Sequence, residues 1–252
     1  MAVHARAVET ARDDAIVRDE MALRIVRELD YDFSRFARAW KTQVAIAVRT
    51  EIIDGVVSAF VRRCPDAVVV NLGSGLDSRF TRLDNGTVRW YELDLPPVMA
   101  LRRRFFRETD RYRFIETSVL DPVWLSKIDR GPAVLFIAEA VLMYLDPAEV
   151  RAMLAALIDA FPGAEMVAEV MGTFFPGHAR LHDAISKTGA ALRWGLRDGR
   201  EIAQWDDRIR FVDEWSILDK HPERWRWLRF FARIRPLREA FSDWIVHLRF
   251  KE

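Results

Sequence analysis

The stretch from Val68 to Phe80 constrains the fold more than any other part of the chain, because it reads as strand, glycine turn and helix start. Its run of β-branched residues is typical of a strand that is buried on both faces. Gly73 and Gly75 follow, and without a Cβ they let the backbone turn sharply and approach a ligand closely. The free amides at the start of the next helix favour anionic or strongly polar groups. The stretch therefore predicts a cradle for a nucleotide cofactor.

An acid at the end of the second predicted strand supports this interpretation. That strand covers residues 88–93 and ends at Asp94, which lies 19 residues beyond Gly75 (94 − 75). An acid about 20 residues after the glycines can accept hydrogen bonds from both ribose hydroxyls of a nucleotide. A dinucleotide-binding fold would usually have a third small residue where Ser78 stands. A tight strand–helix turn without a ligand is the alternative interpretation.

The composition fits one α/β domain with a sizeable core, since half of the 252 residues are hydrophobic. Lys and Arg number 39 and Asp and Glu number 38, so the charge balance does not indicate nucleic acid or a membrane surface as a partner. Cys64 is the single cysteine, which excludes an intrachain disulfide and a Cys-rich metal site. We find no signal peptide and no apolar run of the ~20 residues needed to cross a bilayer. We therefore expect a cytoplasmic protein.

Hydrophobic periodicity predicts helices before an open sheet of alternating strands and helices. The predicted helices cover residues 5–29, 36–62 and 222–241, and the later strands cover residues 112–117, 133–138, 164–170, 208–217 and 244–250. We expect a single domain over residues 1–252. It divides into N-terminal helices (1–64), a cofactor-binding core (65–170), a lid (171–207) and the C-terminal part of the sheet (208–252).

Several basic residues have both a structural and a functional interpretation. Arg49, in the second predicted helix, is either a solvated arginine or the partner of a carboxylate in a bidentate pair. The run from Arg102 to Arg104 is predicted to be a solvated helix face rather than a phosphate site. His178 and His182 lack the intervening Glu of a His-Glu-x-x-His motif and an evident third ligand, so we predict no metal site.

Three further features are a strand end, a helix start and a pair of tryptophans. Glu139 ends the strand 133–138, where open α/β sheets bind ligands. Asp146, followed by Pro147 and Glu149, predicts a helix start with a capping box. The predicted helix 222–241 is rich in Trp and Arg, and we expect its Trp225 and Trp227 to pack inward rather than to bind RNA.

Three motifs, in their order and spacing, resemble the leucine carboxyl methyltransferase family, and within it the branch typified by the tetracenomycin polyketide O-methyltransferase. They are VVNLGSGLDSRF (69–80), WYELDLP (90–96) and AEAVLMYL (138–145), and the likeness extends over nearly the whole chain. The resemblance implies an α/β fold of the class I S-adenosylmethionine-dependent methyltransferases, which is Rossmann-like. It also implies a mainly parallel sheet with an antiparallel last strand. The residue pattern itself adds an N-terminal helical extension and, from the mixed aromatic, glycine and basic residues that follow the fifth strand, an inserted lid.

The same resemblance implies roles toward S-adenosylmethionine. Arg49 should bind the methionine carboxylate, Glu139 should lie near the methionine amino group, and Asp94 should hold the ribose hydroxyls. Ser118 and Val119 should flank the adenine, and Ser118 stands where the family often has an acid, so it would accept from the adenine amino group without charge assistance. The full expected cofactor set is Arg49, Gly73, Ser74, Gly75, Asp94, Leu95, Ser118, Val119 and Glu139.

We expect methyl transfer to an oxygen, a carboxylate or a hydroxyl, of a small polyketide-like molecule or other secondary metabolite. A carboxylate is already ionised at neutral pH and needs no general base, so we assign no catalytic residue. A phenol, with a pKa of about 10, would benefit from a base, and His178 or His182 would then be candidates. Tyr144, Arg193 and Trp194 are the candidate substrate contacts.

Three alternatives stay open at this point. The acceptor could be the C-terminal carboxylate of a protein, which would need a funnel and a docking surface. The chain could be an NAD-dependent oxidoreductase, although Ser78 replaces the third glycine and no Tyr-x-x-x-Lys motif is persuasive. It could also be a cofactor-binding module without turnover. The sequence does not reveal the oligomeric state.

Overall fold

A single sheet organises the computed structural model, which describes residues 1–187 and 189–252. Its strands within these residues are β1 Val68–Leu72, β2 Arg89–Asp94, β3 Tyr112–Glu116, β4 Val134–Ala138, β5 Glu165–Met171, β6 Ile209–Ser216 and β7 Asp243–Phe250. Their order is β3-β2-β1-β4-β5-β7-β6. Neighbours from β3 to β5 pair in parallel, whereas β7 is antiparallel to β5 and β6. The predicted fold class is confirmed.

Helices cover both faces of the central strands. They are α1 Ala2–Thr10, α2 Glu20–Glu28, α3 Trp40–Arg63, α4 Arg79–Leu83, α5 Pro96–Arg102, α6 Pro147–Ala160, α7 Arg200–Ala203 and α8 Arg235–Phe241. Every residue of β1 is buried, and successive side chains alternate between the two faces. Val69 belongs to a core cluster with Ile53 of α3, whereas Val70 belongs to a second cluster with Leu154 of α6. This double burial explains the continuous β-branched run of the strand.

Two segments that were each predicted as one helix are divided in the structure, so these predictions are wrong. The segment predicted as one helix over 5–29 forms α1 and α2, because residues 11–19 are not helical. Asp19 then caps α2 by accepting the Ala22 N–H at 2.9 Å. The segment predicted as one helix over 222–241 contains a 3-10 stretch, Arg226–Arg233, before α8. Pro236 lies in the first turn of α8, where a missing N–H is tolerated, but it could not continue a helix from before.

Other local predictions are confirmed. The predicted capping box exists, since Asp146 accepts from the backbone of Glu149 and the Glu149 side chain accepts the Asp146 N–H at 2.8 Å. The predicted inward packing of the tryptophans is half correct, because Trp225 is buried while Trp227 is 56% exposed.

The segment that follows β5 has short 3-10 turns and α7 but mostly irregular backbone. Its path is fixed near the sheet by two backbone hydrogen bonds, from Gly172 N–H to the Ser242 carbonyl and from Leu196 N–H to the Met171 carbonyl, both at 2.8 Å. Its role as a lid stays a prediction. Across the part of the chain that the structure describes, no helix has the length and apolar character needed to cross a membrane.

Candidate active site

The glycine loop after β1 forms one wall of a cavity of about 260 Å³. Gly73 and Gly75 have φ angles of 61° and 52°, in the left-handed region that favours glycine. A Cβ on Gly73 would lie 2.4 Å from Val141 Cγ2, whereas a Cβ on Gly75 would meet no described atom within 4 Å. The loop is thus packed tightly at its first glycine and opens toward the cavity at its second. Arg49 and Glu139 line the same cavity.

Asp94 joins the end of β2 to this loop. Its Oδ2 accepts the Gly75 N–H and its Oδ1 accepts the Leu95 N–H, each at 2.7 Å. Each carboxylate oxygen can accept more than one hydrogen bond, so both retain capacity for a further donor. The side chain is only partly buried. This geometry suits an acid that holds the two hydroxyls of a ribose.

Ser74 provides a test of whether the cavity fits a polar ligand. Its hydroxyl oxygen is buried and has no hydrogen-bond partner among the residues that the structure describes. Buried hydroxyls are costly without a partner and are normally satisfied. Because Ser74 lines the cavity, a polar group bound there would supply that partner. The cavity therefore fits a polar cofactor.

Arg49 is buried between two acids and is not a solvated arginine. Its Nε donates to Glu139 at 2.9 Å, and its Nη1 donates to Glu169 at 2.8 Å. Neither of these two pairs uses Nη2, so a cavity ligand could still receive a hydrogen bond from this guanidinium. Glu169 also accepts the N–H of Ala140 at 2.7 Å, and Ala140 has a left-handed φ of 55°. A non-glycine residue in this conformation is strained, which is a feature of functional sites.

The two acids differ in their titration. Burial alone would raise the pKa of Glu139, but the charges of Arg49 and Arg79 lower it below its ordinary value. Burial raises the pKa of Glu169, and the charge of Arg49 offsets only part of this effect. Glu139 is therefore a firm anion at the cavity, which suits an ammonium group.

Two buried arginines, Arg79 and Arg102, hold the glycine loop and its neighbours in place, and neither was predicted from the sequence as a buried ionic residue. Arg79 donates to Glu139 at 2.8 Å and also pairs with Asp77 and Asp54. Arg102 donates to the carbonyls of Gly75 and Asp77 at 2.8 and 2.7 Å. A charge that is fully buried needs such partners. The sequence offered only two signals: Arg79 lies within the glycine motif, and Arg102 follows a strand whose interior contains Glu92.

The prediction that the run Arg102–Arg104 is a solvated face is wrong for Arg102. This guanidinium is fully buried and contacts Glu92 at 2.7 Å, whereas Arg103 and Arg104 are exposed. The reason is the buried acid on β2, which gives the first arginine of the run an ionic partner within the core. The other two follow the expectation.

The remaining expected cofactor residues lie at the same edge of the sheet but do not line this cavity. Leu95 follows β2 and is 51% exposed. Ser118 and Val119 follow β3 and are partly buried, and the neighbouring Thr117 N–H donates to the Asp94 carbonyl at 3.0 Å. They are thus close in the fold to the acid that is expected to hold the ribose.

The three candidate substrate residues have different surroundings. Tyr144 is partly buried near Arg49 and Glu169; burial raises the pKa of its hydroxyl. Arg193 is exposed and pairs with Asp146 at 2.8 Å. Trp194 is 8% exposed and its indole donates to the carbonyls of residues 142 and 145 at 2.9 and 3.0 Å. The structure therefore brings Tyr144 to the Arg49 cluster, but not Arg193 or Trp194.

The fold and the site together define a class of protein. The mainly parallel sheet with antiparallel β7, the glycine loop after β1 and the acid ending β2 are those of a class I S-adenosylmethionine-dependent methyltransferase. The family model for leucine carboxyl methyltransferase matches residues 1–158, and the chain belongs to this family.

Individual proteins agree with that assignment. The tetracenomycin polyketide synthesis O-methyltransferase TcmP of Streptomyces glaucescens is 33% identical, over 86% of this chain and 81% of that protein. A relative from Mycolicibacterium paratuberculosis, assigned as an S-adenosyl-L-methionine-dependent methyltransferase, is 30% identical over 95% of this chain and 84% of that protein. The chain is accordingly an S-adenosylmethionine-dependent O-methyltransferase, and the oxidoreductase alternative is replaced.

Two solved structures agree in fold. An O-methyltransferase family protein from Burkholderia thailandensis has a TM-score of 0.51 at 17% identity, covering 100% of this chain and 70% of that one. A DUF574 family protein from Streptomyces avermitilis has a TM-score of 0.62 at 12% identity, covering 100% of this chain and 97% of that one.

Proposed function

We propose that the enzyme methylates an oxygen, a carboxylate or a hydroxyl, of a small polyketide-like or other secondary metabolite, with the cofactor bound along the glycine loop. The observation that carries the cofactor position is that Gly75, Arg49 and Glu139 line one cavity while Asp94 bonds the Gly75 amide. The small-molecule acceptor is supported by the likeness to a polyketide O-methyltransferase.

Each expected residue then has a role that its surroundings allow. Arg49 would donate to the methionine carboxylate through Nη2, and Glu139 would accept from the methionine ammonium group. Asp94 would accept from the ribose hydroxyls, and the unpartnered Ser74 hydroxyl would gain a polar partner. Gly73 and Gly75 would pass beneath the cofactor, while Leu95, Ser118 and Val119 would flank its nucleoside.

S-adenosylmethionine supplies a methyl carbon that is already electrophilic. The protein's own contribution is to hold the acceptor oxygen in line with that carbon and its sulfur, and to keep water away. Such alignment needs no nucleophilic side chain.

Labelled methyl transfer tests the proposal. The enzyme is incubated with methyl-labelled cofactor and either cell protein or an organic extract, and the label is followed into each fraction. We expect label in small molecules, and calorimetry should show binding of S-adenosylhomocysteine. Label only in protein would instead favour the C-terminal carboxylate of a protein as acceptor. Cofactor binding without transfer to either fraction would support the inactive module.

A further inference from the structure

A second cavity, of about 360 Å³, is lined in part by α3, the helix that also carries Arg49. Aromatic rings dominate its walls: Phe174, Phe175, Trp225, Trp227 and Phe241. Ala45 of α3 also lines it and lies one helical turn before Arg49, which is a rise of about 6 Å. The cavity therefore adjoins the end of the cofactor site where the methionine group is proposed to bind.

Asp243 connects this cavity to the Arg49 cluster. It is the first residue of β7, pairs with Met171 of β5, and therefore projects to the same face as Glu169, two residues earlier on β5. Asp243 lines the cavity, and its Oδ1 atom is buried with no hydrogen-bond partner in the described part of the chain. Buried carboxylate oxygens normally accept a hydrogen bond, so this oxygen is available to a donor group of a ligand in the cavity.

We propose that the aromatic cavity binds the methyl acceptor, that the acceptor is an aromatic hydroxyl compound, and that Asp243 is the catalytic base that receives its proton. This inference rests on the proposed function, because it needs the methyl donor in the neighbouring cavity. The rings supply stacking surface for a planar acceptor. The unpartnered oxygen of Asp243 supplies an acceptor for one O–H group.

The charged groups around Asp243 favour a neutral hydroxyl over a carboxylate. The charge of Glu169 on β5 acts on Asp243. Asp183, in the segment after β5, lines the same cavity and already accepts from the Thr42 hydroxyl. A second oxygen of Asp183 is buried without a partner among the described residues. Once Asp243 is ionised, which the base mechanism requires, these two acids with unpartnered oxygens would repel an anionic acceptor but receive hydrogen bonds from a neutral one.

Four other titratable groups face this region. Arg49 and Lys41 come from α3, whereas Tyr144 and His182 come from other segments of the chain. Burial, together with the charge of Glu169, raises the pKa of Asp243 to about 8, although Arg49 acts in the opposite direction. A base in this range is well matched to a phenol, whose ordinary pKa is about 10.

The two histidines are less suitable as bases. Nδ1 of His182 accepts the N–H groups of Ala184 and Ile185 at 3.3 and 3.2 Å, so the neutral ring carries its proton on Nε2 and acts as a donor. Burial also lowers the pKa of His182. His178 is exposed and donates from Nδ1 to the Phe174 carbonyl at 2.8 Å, and the cavity lining does not include it.

The transfer step balances in atoms and charge. As the acceptor oxygen bonds to the methyl carbon, its O–H bond breaks and the proton passes to Oδ1 of Asp243. The bond between the methyl carbon and sulfur breaks, and the sulfur keeps the electron pair. One positive charge on sulfur and one negative charge on the carboxylate disappear together. The products are a methyl ether, a neutral thioether and a neutral carboxylic acid.

A matched pair of probes tests this assignment: 2-naphthol and 2-naphthoate present the same ring with a hydroxyl or a carboxylate. Initial rates of labelled methyl transfer are measured for the wild-type enzyme, Asp243→Asn and the control Asp207→Asn, which changes an exposed acid. We expect faster transfer to 2-naphthol, with kcat/KM rising with pH up to about 8 and then levelling. Asp243→Asn should lower this rate by about 10²- to 10⁴-fold. Its S-adenosylhomocysteine affinity should stay unchanged, and Asp207→Asn should match the wild type.

A second variant tests the cavity without touching the base. Ala45→Phe should fill the cavity from α3, so 2-naphthol binding, followed by tryptophan fluorescence with S-adenosylhomocysteine present, should weaken more than tenfold. Cofactor affinity should be retained. Unchanged 2-naphthol binding in this variant overturns the choice of cavity.

The remaining outcomes separate the inference from the function on which it rests. Preference for 2-naphthoate, no binding of 2-naphthol, or an unchanged 2-naphthol rate in Asp243→Asn overturns the assignment of a hydroxyl and its base, while the methyltransferase stands. A wild-type enzyme that fails to bind S-adenosylhomocysteine overturns the proposed function itself.

Discussion

Replacing Gly73 by alanine should destabilise the protein by about 2–5 kcal/mol, because the loop has neither the backbone conformation nor the space for a methyl group. Two costs add. A left-handed φ, here 61°, costs a non-glycine residue ~1–2 kcal/mol. The new Cβ would lie 2.4 Å from Val141 Cγ2, and a valine side chain is stiff, so relief of this overlap costs ~1–3 kcal/mol.

Urea unfolding followed by the fluorescence of the tryptophans measures both terms. The free energy of unfolding is compared for the wild type, Gly73→Ala, Val141→Ala and the double variant. Because Val141→Ala removes the clashing atom, the double variant should recover the steric part, which appears as a coupling free energy of ~1–3 kcal/mol. The backbone part should remain.

Gly55 provides a matched control within α3. A Cβ there would meet no described atom within 4 Å, and the position is inside a helix. Gly55→Ala should therefore stabilise the protein by about 0.5–1 kcal/mol. If the effects of Gly73→Ala and Val141→Ala simply add in the double variant, the steric reasoning is refuted.

Three further variants, the last with a matched control, test the site. Asp94→Ala should reduce S-adenosylhomocysteine affinity by about 1–3 kcal/mol in calorimetry, and unchanged binding would disprove the ribose role. Arg49→Ala leaves the buried Glu169 without its arginine partner and Glu139 with Arg79 alone, so the free energy of unfolding should fall by about 3–5 kcal/mol. A variant that loses only cofactor affinity would contradict the pairing. Arg102→Ala should cost a similar ~3–5 kcal/mol, whereas Arg104→Ala, at an exposed position, should stay within ~0.5 kcal/mol. Equal effects of the two variants would remove the distinction between them.

The glycine loop and its acid were accessible from sequence because their signals are local. Strand, turn and helix start follow one another without a gap, and parallel pairing aligns Leu72 at the end of β1 with Leu93 of β2. The residue after Leu93 is therefore placed beside the loop by register alone. Periodicity located the other strands for the same reason, since each strand carries its own pattern, whereas the antiparallel last strand was implied by the family resemblance.

The partners of Arg49 were not accessible in this way. Glu139 and Glu169 lie 90 and 120 residues further along the chain, so no local window contains the pair. Helical spacing could place Arg49 on a face of α3 but could not show that this face meets the ends of β4 and β5. The resemblance to a family supplied a role for the residue, but the ionic contacts required the fold.

Asp243 shows a different limit. From the sequence it is one acid before an alternating strand, with no motif around it. Its significance depends on the antiparallel pairing of β7 with β5, which places it beside Glu169, and on aromatic residues from separate segments that close the cavity. A chemical role that arises from a missing hydrogen bond has no counterpart in the sequence.

The buried arginines connect stability to function in this enzyme. Arg79 pairs with Asp77 after β1 and with Glu139 after β4, and Arg49 joins Glu139 to Glu169 on β5. Because neighbouring arginines share an acid, displacement of one guanidinium moves carboxylates that face the cavity. Buried polar networks are rigid when all their members are satisfied. The contacts that hold the strand ends together therefore also preorganise the site. A variant within this network of arginines and acids changes stability and binding together. Variants outside the network therefore report cofactor binding separately from stability.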